Sequence, residues 1–248
     1  MKSLIAANWK MNPITEKEAK ELFDLVDRGV KGIKRVKTII CPPFVYLPVL
    51  NGVNVSLGSQ NLFWEEKGAY TGEVSLKMIK GLGCQYAIVG HSERRKYFKE
   101  TDETVNKKII AALKEKITPI FCIGETEKER EKIESILRRQ IEVGLRGVSN
   151  SKFSEVIIAY EPVWAIGTGN PCGAEEAQTA NLLIRKIISK ISSSAVAKKV
   201  NILYGGSANS GNARSYLEEA GFQGLLVGGA SLKAKEFISI VKEASRIR

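Results

Sequence analysis

The sequence predicts an α/β protein, a single (β/α)8 barrel in which a closed parallel eight-stranded sheet is surrounded by helices, occupying residues 1–248 as one domain. Three observations predict it. Short apolar runs rich in β-branched residues alternate with longer segments of helical period from end to end. The strand-like runs are apolar at consecutive positions, which asks for cover on both faces, as parallel sheets have. Finally, 248 residues without a linker or low-complexity stretch match the usual barrel length of about 250 residues. An open doubly wound sheet is the alternative, and it is disfavoured because no Gly-x-Gly-x-x-Gly follows the first strand.

The elements follow in order. Residues 4–9 open the series with Leu4, Ile5, Ala6 and Ala7. Residues 36–41 carry Val36, Ile39 and Ile40, and residues 53–59 carry Val53, Val55 and Leu57. Residues 86–90 run from Tyr86 through Ile88 and Val89 into Gly90, and Val105, Ile109 and Leu113 then mark one face of a helix. The fifth strand is placed at 117–123 and is followed by an apolar stripe of Ile133, Ile136, Leu137, Ile141 and Leu145. The sixth is placed at 156–160, ahead of the stripe Ala180, Leu183, Ile184, Ile187 and Ile191. Residues 200–204 and 224–227 complete the set.

Hydrophobic residues make up 44% of the chain, ample for a filled core. The longest apolar runs are too short to span a bilayer, and Met1-Lys2-Ser3 precedes no signal-peptide core, so a cytoplasmic protein without membrane association is expected. Cys41, Cys84, Cys122 and Cys172 form no Cys-x-x-Cys pair, which argues against a zinc site or disulfide framework and for reduced, buried thiols. The net charge of +11 reads either as a field that gathers anions or as a solvated lysine-rich surface. Interspersion with glutamate, as in Glu127-Lys128-Glu129-Arg130-Glu131-Lys132, favours the second, and no motif points to nucleic acid.

The unusual polar residues each fall at or just beyond the carboxyl end of a strand. Asn8 and Lys10 follow the first; Gln60 and Asn61 the third; His91 the fourth; Gly124 and Glu125 the fifth; Glu161 the sixth. Gly205-Gly206-Ser207 follow the seventh and Gly228-Gly229 the eighth. A barrel gathers all these ends at one rim. His91 is the only histidine, so a cluster of imidazoles is excluded; it reads as a core residue, a lone surface residue or a catalytic group. Each glycine pair reads as a tight turn or a phosphate cradle, and two pairs on the last two units favour phosphate. Glu161 precedes Pro162-Val163-Trp164-Ala165-Ile166 and Gly167-Thr168-Gly169, an apolar segment between a fixed and a flexible end that fits a lid over a carboxylate; a surface ion pair is the bland alternative.

Over nearly its full length the chain resembles the triosephosphate isomerase family. The resemblance is carried by Asn8-Trp9-Lys10-Met11-Asn12, Gly68-Ala69-Tyr70-Thr71-Gly72-Glu73, Gly90-His91-Ser92-Glu93-Arg94-Arg95, Tyr160-Glu161-Pro162-Val163-Trp164-Ala165-Ile166-Gly167-Thr168-Gly169, Tyr204-Gly205-Gly206-Ser207 and Leu226-Val227-Gly228-Gly229-Ala230-Ser231, in the family's order. It implies interconversion of dihydroxyacetone phosphate and D-glyceraldehyde 3-phosphate through an enediolate, with no cofactor and no metal. By matching position, Glu161 is then the base and His91 a neutral electrophile at a helix N-terminus, an effect for which this family is itself the standard example. Lys10, with Asn8, would hold substrate oxygen, and Glu93 would position Lys10. Gly167, Ser207, Gly228 and Gly229 would bind phosphate, while Ile166 and Leu226 would press on the base.

Thr71 matches a loop that enters a partner subunit, which implies a homodimer with apolar area from Leu62-Phe63-Trp64 and leaves a tetramer of paired dimers open. Three positions depart from the family pattern. The far lid hinge reads Asn170-Pro171-Cys172, where proline restricts φ; Gln223 replaces an aspartate expected to pair with Arg185, so that ion pair should be absent; and Pro13 follows Asn12. Two rivals remain at this stage. One is another phosphate-binding barrel enzyme, against which the short lid argues. The other is a non-enzymatic binding protein, against which intact Lys10, His91 and Glu161 argue.

Overall fold

The computed structural model describes residues 2–166 and 172–247. Eight strands close in chain order into a barrel, each hydrogen-bonded to its sequence neighbours and the eighth to the first. They are β1 (Ser3–Asn8), β2 (Val36–Cys41), β3 (Ser56–Ser59), β4 (Tyr86–Val89), β5 (Thr118–Ile123), β6 (Ile157–Tyr160), β7 (Asn201–Tyr204) and β8 (Gly224–Val227). All pairs are parallel, and closure is made by Leu4 to Ala7 of β1 lying beside Gly224 to Val227 of β8.

Alternate residues on each strand face opposite ways, so the core splits in two. Ala6, Ile39, Cys41, Ile88, Ile120, Cys122, Ala159, Leu203 and Leu226 fill the barrel lumen. The intervening residues, among them Ile5, Ile40, Val89, Phe121, Ile158 and Val227, pack outward against the helices. This two-sided burial is why the strands read as continuous apolar runs.

The helices are α1 (Glu16–Gly29), α2 (Leu76–Gly81), α3 (Ser92–Phe98), α4 (Asp102–Lys114), α5 (Ile133–Gly144), α6 (Ala174–Ile191), α7 (Ser194–Lys199) and α8 (Ala234–Arg246). Their ends are set by local chemistry. Thr15 caps α1 by accepting from Glu18 N while the Glu18 carboxylate accepts from Thr15 N, and Lys99 ends α3 in the left-handed conformation. The expected stripes face the core: Val105, Ile109 and Leu113 on α4, Ile136, Leu137 and Ile141 on α5, and Ala180, Ile184 and Ile187 on α6 are buried. No helix among the described residues is long and apolar enough to cross a membrane.

Two expectations need correction and a third is refined. β3 starts at Ser56, not at 53, because Val53 is exposed and the N–H groups of Asn54 and Val55 donate to the Asp27 carboxylate instead of to a neighbouring strand. Leu62 is fully buried, so it offers no interface area; Phe63 packs at a tilt against the rings of Trp64 and Tyr70. At Gln223 the ion pair is indeed absent, yet the guanidinium of Arg185 is not left bare. It donates to Gln223 Oε1 and to the carbonyl of Ala197, and the same Gln223 oxygen accepts from Ile202 N.

Candidate active site

A cavity of about 390 Å³ opens at the carboxyl ends of the strands, lined by Asn8, Lys10, His91, Glu161, Ile166, Ser207, Leu226, Gly228 and Gly229 among others. Residues from five different strand ends and the loops after them thus meet at one mouth, as the barrel geometry requires. Gly167 and the Asn170-Pro171 part of the far hinge lie outside the described residues. Cys172 is described and buried. Thr71 stands on an exposed loop away from this cavity.

His91 is the N-cap residue of α3. Its Nδ1 accepts the backbone N–H of Glu93 at 3.2 Å, which satisfies one of the helix's unpaired donors and leaves the ring proton on Nε2. Nε2 lies 3.0 Å from Glu161 Oε1. The other carboxylate oxygen, Oε2, accepts the backbone N–H of Ser92 at 2.8 Å. The first turn of α3 therefore receives both the imidazole and the carboxylate.

Glu161 is 1% exposed. Burial pushes its carboxyl up, but the facing His91 and the Ser92 N–H outweigh burial and hold it below the usual carboxylate range. For His91, burial pulls the imidazole down and the Glu161 carboxylate outweighs it, raising the pKa in this resting arrangement. A proton on Nδ1 would have to displace the Glu93 N–H and would sit at the positive end of α3. Removing Glu161 from the imidazole thus takes away the larger of the two carboxylate contributions that favour imidazolium, leaving that of Glu93, which Lys10 opposes.

Two glycines make room for this carboxylate. A side chain at Gly124 would put its Cβ 1.7 Å from the Glu161 carbonyl oxygen, so β5 can approach β6 this closely only with glycine there. At Gly205 a Cβ would stand 3.0 Å from Glu161 Cγ.

Lys10 adopts φ 55°, a left-handed conformation costly for a non-glycine residue. Its peptide is held on both sides: Asn8 Oδ1 accepts from Lys10 N at 3.0 Å, and Gln60 Nε2 donates to Lys10 O at 2.8 Å and to Cys41 O at 2.9 Å. The ammonium reaches Glu93 Oε1 at 2.5 Å, and the side chain lies beside Gly228, where an added Cβ would stand 3.4 Å from Lys10 Cε, in ordinary contact. Sequence reasoning placed Gln60 at the rim without giving it a task; its two bonds cross 50 and 19 positions, which no local pattern reveals.

At the opposite wall, Ser207 donates its hydroxyl to the carbonyl of Ala165 at 3.0 Å. Gly229 opens a short 3-10 turn, Gly229–Leu232, whose first N–H groups have no carbonyl partner within the turn. Lys10, the glycines of this turn, His91 and Glu161 all line the one cavity, and Leu226 adds apolar lining.

Glu125, expected at the rim, is buried beneath it. It accepts from Tyr160 Oη at 3.0 Å and Trp164 Nε1 at 2.8 Å, and burial raises its carboxyl pKa against those bonds. Its contact is with the start of the segment that follows Glu161, not with the cavity.

A family model described as triosephosphate isomerase matches residues 3–244. Curated relatives bearing the same description include those of Dictyoglomus turgidum, 46% identical over 97% of this chain and 99% of the relative, and Endomicrobium trichonymphae, 49% identical over 97% and 98%. That of Dictyoglomus thermophilum is 47% identical over 97% and 99%.

Proposed function

The chain belongs to the triosephosphate isomerase family, and on that premise we propose that it interconverts dihydroxyacetone phosphate and D-glyceraldehyde 3-phosphate, a step of glycolysis and gluconeogenesis, with Glu161 as base, His91 as electrophile and Lys10 as the fixed positive charge. The observation that carries this reading is the juxtaposition of a buried carboxylate and the single imidazole, 3.0 Å apart, on a cavity that also receives Lys10.

The Glu161 carboxylate takes a proton from the carbon beside the carbonyl. The C–H electron pair becomes the C=C bond of the enediolate, and the carbonyl π pair moves onto oxygen. His91 Nε2–H donates to that oxygen, and Lys10 offsets the growing charge. Once Glu161 turns from Ser92 toward substrate, the imidazole meets the ligand neutral, as its Nδ1 bond to Glu93 N requires. The hydroxyl proton passes between the two enediolate oxygens by way of His91 Nε2, and Glu161 returns its proton to the adjacent carbon, which completes the isomerisation with no net change in oxidation level. Gly167, Ser207, Gly228 and Gly229 hold the phosphate, and Leu226 with Ile166 keeps the carboxylate in an apolar surrounding that strengthens it as a base.

The same premise supports a cytoplasmic homodimer. A groove of about 360 Å³, lined by Met11, Phe44, Tyr97 and Phe98, lies beside Lys10 and His91. Met11, Tyr97 and Phe98 are 91%, 64% and 67% exposed, more apolar surface than an isolated catalytic rim needs. The exposed loop carrying Thr71, turned by Gly68 at φ 147° and Gly72 at φ 89°, is the projecting part of the same chain that fits such a groove in a second copy, an arrangement that closes on itself by two-fold symmetry.

The test is turnover of glyceraldehyde 3-phosphate by the purified chain beside His91→Gln and Glu161→Asp. Fast conversion, reduced by roughly 10²- to 10⁴-fold in each variant, supports the reading. A folded wild type that converts nothing overturns it in favour of a binding protein.

A further inference from the structure

Tyr216 lies between β7 and β8 and takes no part in the site described above. Its ring stacks on Tyr204, with centroids 3.7 Å apart and planes at 15°. Its hydroxyl donates to the carbonyl of Cys172 at 2.7 Å. Tyr204 ends β7 and leads directly into Gly205-Gly206-Ser207; Cys172 stands just before Gly173, the N-cap of α6. All three residues are buried.

The Cys172 carbonyl has no role inside α6, whose first bond runs from Ala177 N to Gly173 O. Among the described residues it accepts from the Tyr216 hydroxyl. A buried carbonyl without a donor is costly, so this bond, together with the Tyr204 hydroxyl beside the same backbone, fixes where the peptide of Cys172 rests. The stack fixes the other side. Tyr204 is wedged beneath the glycine loop so closely that a side chain at Gly206 would come within 2.3 Å of its Oη. Through one phenol, the strand end carrying the phosphate loop is joined to the point at which the segment beginning at Glu161 meets α6.

We propose that Tyr216 is a positioning residue for the isomerisation, its hydroxyl holding the Cys172 peptide in register with the Gly205-Gly206-Ser207 loop. This rests on the isomerase reading above. The consequence is control of what happens to the enediolate. If the Gly205-Gly206-Ser207 loop lining the cavity is poorly placed, the intermediate eliminates phosphate: an enediolate oxygen re-forms a carbonyl, the C=C pair shifts one carbon along, and phosphate departs with the C–O pair. The remaining enol takes up a proton to give methylglyoxal.

The experiment measures kcat, KM for glyceraldehyde 3-phosphate, inorganic phosphate released per isomerisation and Tm, for wild type, Tyr216→Phe and Tyr216→Leu. Tyr216→Phe keeps the stack and removes the donor; it is expected to raise KM and the phosphate released per isomerisation by about three- to tenfold, the range set by one hydrogen bond. Tyr216→Leu should show the same kinetic change with a larger drop in Tm. A Tyr216→Phe enzyme with a lower Tm but unchanged KM and phosphate release would make the residue purely structural and overturn the proposal, as would a kinetic change confined to Tyr216→Leu. A wild type without isomerase activity would instead overturn the underlying reading.

Discussion

The Nδ1 atom of His91 and the backbone N–H of Glu93 are hydrogen-bonded at 3.2 Å, so the residue that begins α3 also has its tautomer decided by α3. The carboxylate of Glu161 takes the preceding N–H, that of Ser92, at 2.8 Å. Helix capping and acid–base chemistry are here served by the same bonds.

The Glu161 carboxyl is held below its ordinary value of 4.5, burial being outweighed by His91 and the Ser92 N–H. A carboxyl with a depressed folded pKa contributes stability above its unfolded value and loses it as pH falls through the folded one. Glu161→Gln, a mimic of the protonated form, should therefore lower Tm relative to wild type at pH 7, with the difference shrinking as pH falls from 4.5 through the depressed folded value. A Tm difference independent of pH would contradict the assignment.

Leu226 belongs both to the lumen core and to the cavity floor. Leu226→Ala should cost about 2–5 kcal/mol of stability, as large-to-small core changes do, and should lower kcat more than it raises KM, because the apolar surface pressing on Glu161 raises basicity and contributes little to binding. Denaturant unfolding and steady-state kinetics check the two halves; an unchanged turnover number would sink the second.

Gln223 supplies the acceptor that keeps a half-buried guanidinium satisfied. Gln223→Ala is expected to destabilise the fold by about 1–3 kcal/mol, the cost of stranding a buried polar group, while kcat stays at the wild-type value. In an Arg185→Met background the same substitution should cost distinctly less, which a double-mutant cycle in urea measures.

Phe98 is 67% exposed beside the groove that the Thr71 loop is proposed to enter. Phe98→Asp should shift the protein to a monomer in sedimentation velocity and depress kcat, since Lys10 and His91 adjoin the same groove. Wild-type protein sedimenting as a monomer at micromolar concentration would refute the dimer.

Much of this was legible in the chain because the relevant signals are local. Val36–Cys41 and Gly224–Val227 fall where continuous apolar runs place them, and Lys10, His91 and Glu161 stand out as polar residues directly after such runs. What was hidden depends on partners distant in sequence. The shortened start of β3 follows from Asp27, which captures the N–H groups of Asn54 and Val55. Gln60 gains its task from a left-handed Lys10 that no residue spacing announces. Glu125 looked like a rim acid until Tyr160 and Trp164 covered it, and Leu62 looked available for an interface although it turns into the core.

The close approach at Gly124 governs how the base can move. Glu161 N donates to Ile123 O at 2.7 Å, and the Glu161 carbonyl occupies the volume where any side chain at 124 would begin. The peptide is thereby clamped between neighbouring strands, so its carboxylate, held at rest by the Ser92 N–H, leaves that bond by turning about its own side-chain torsions, like a crank on a fixed axle. Every position the carboxylate reaches is then an arc about one immobile Cα, so the stroke is set by side-chain torsions alone and ends at the same place in each turnover. Widening position 124 even to alanine would displace the axle itself, an error that no rotamer of Glu161 could correct.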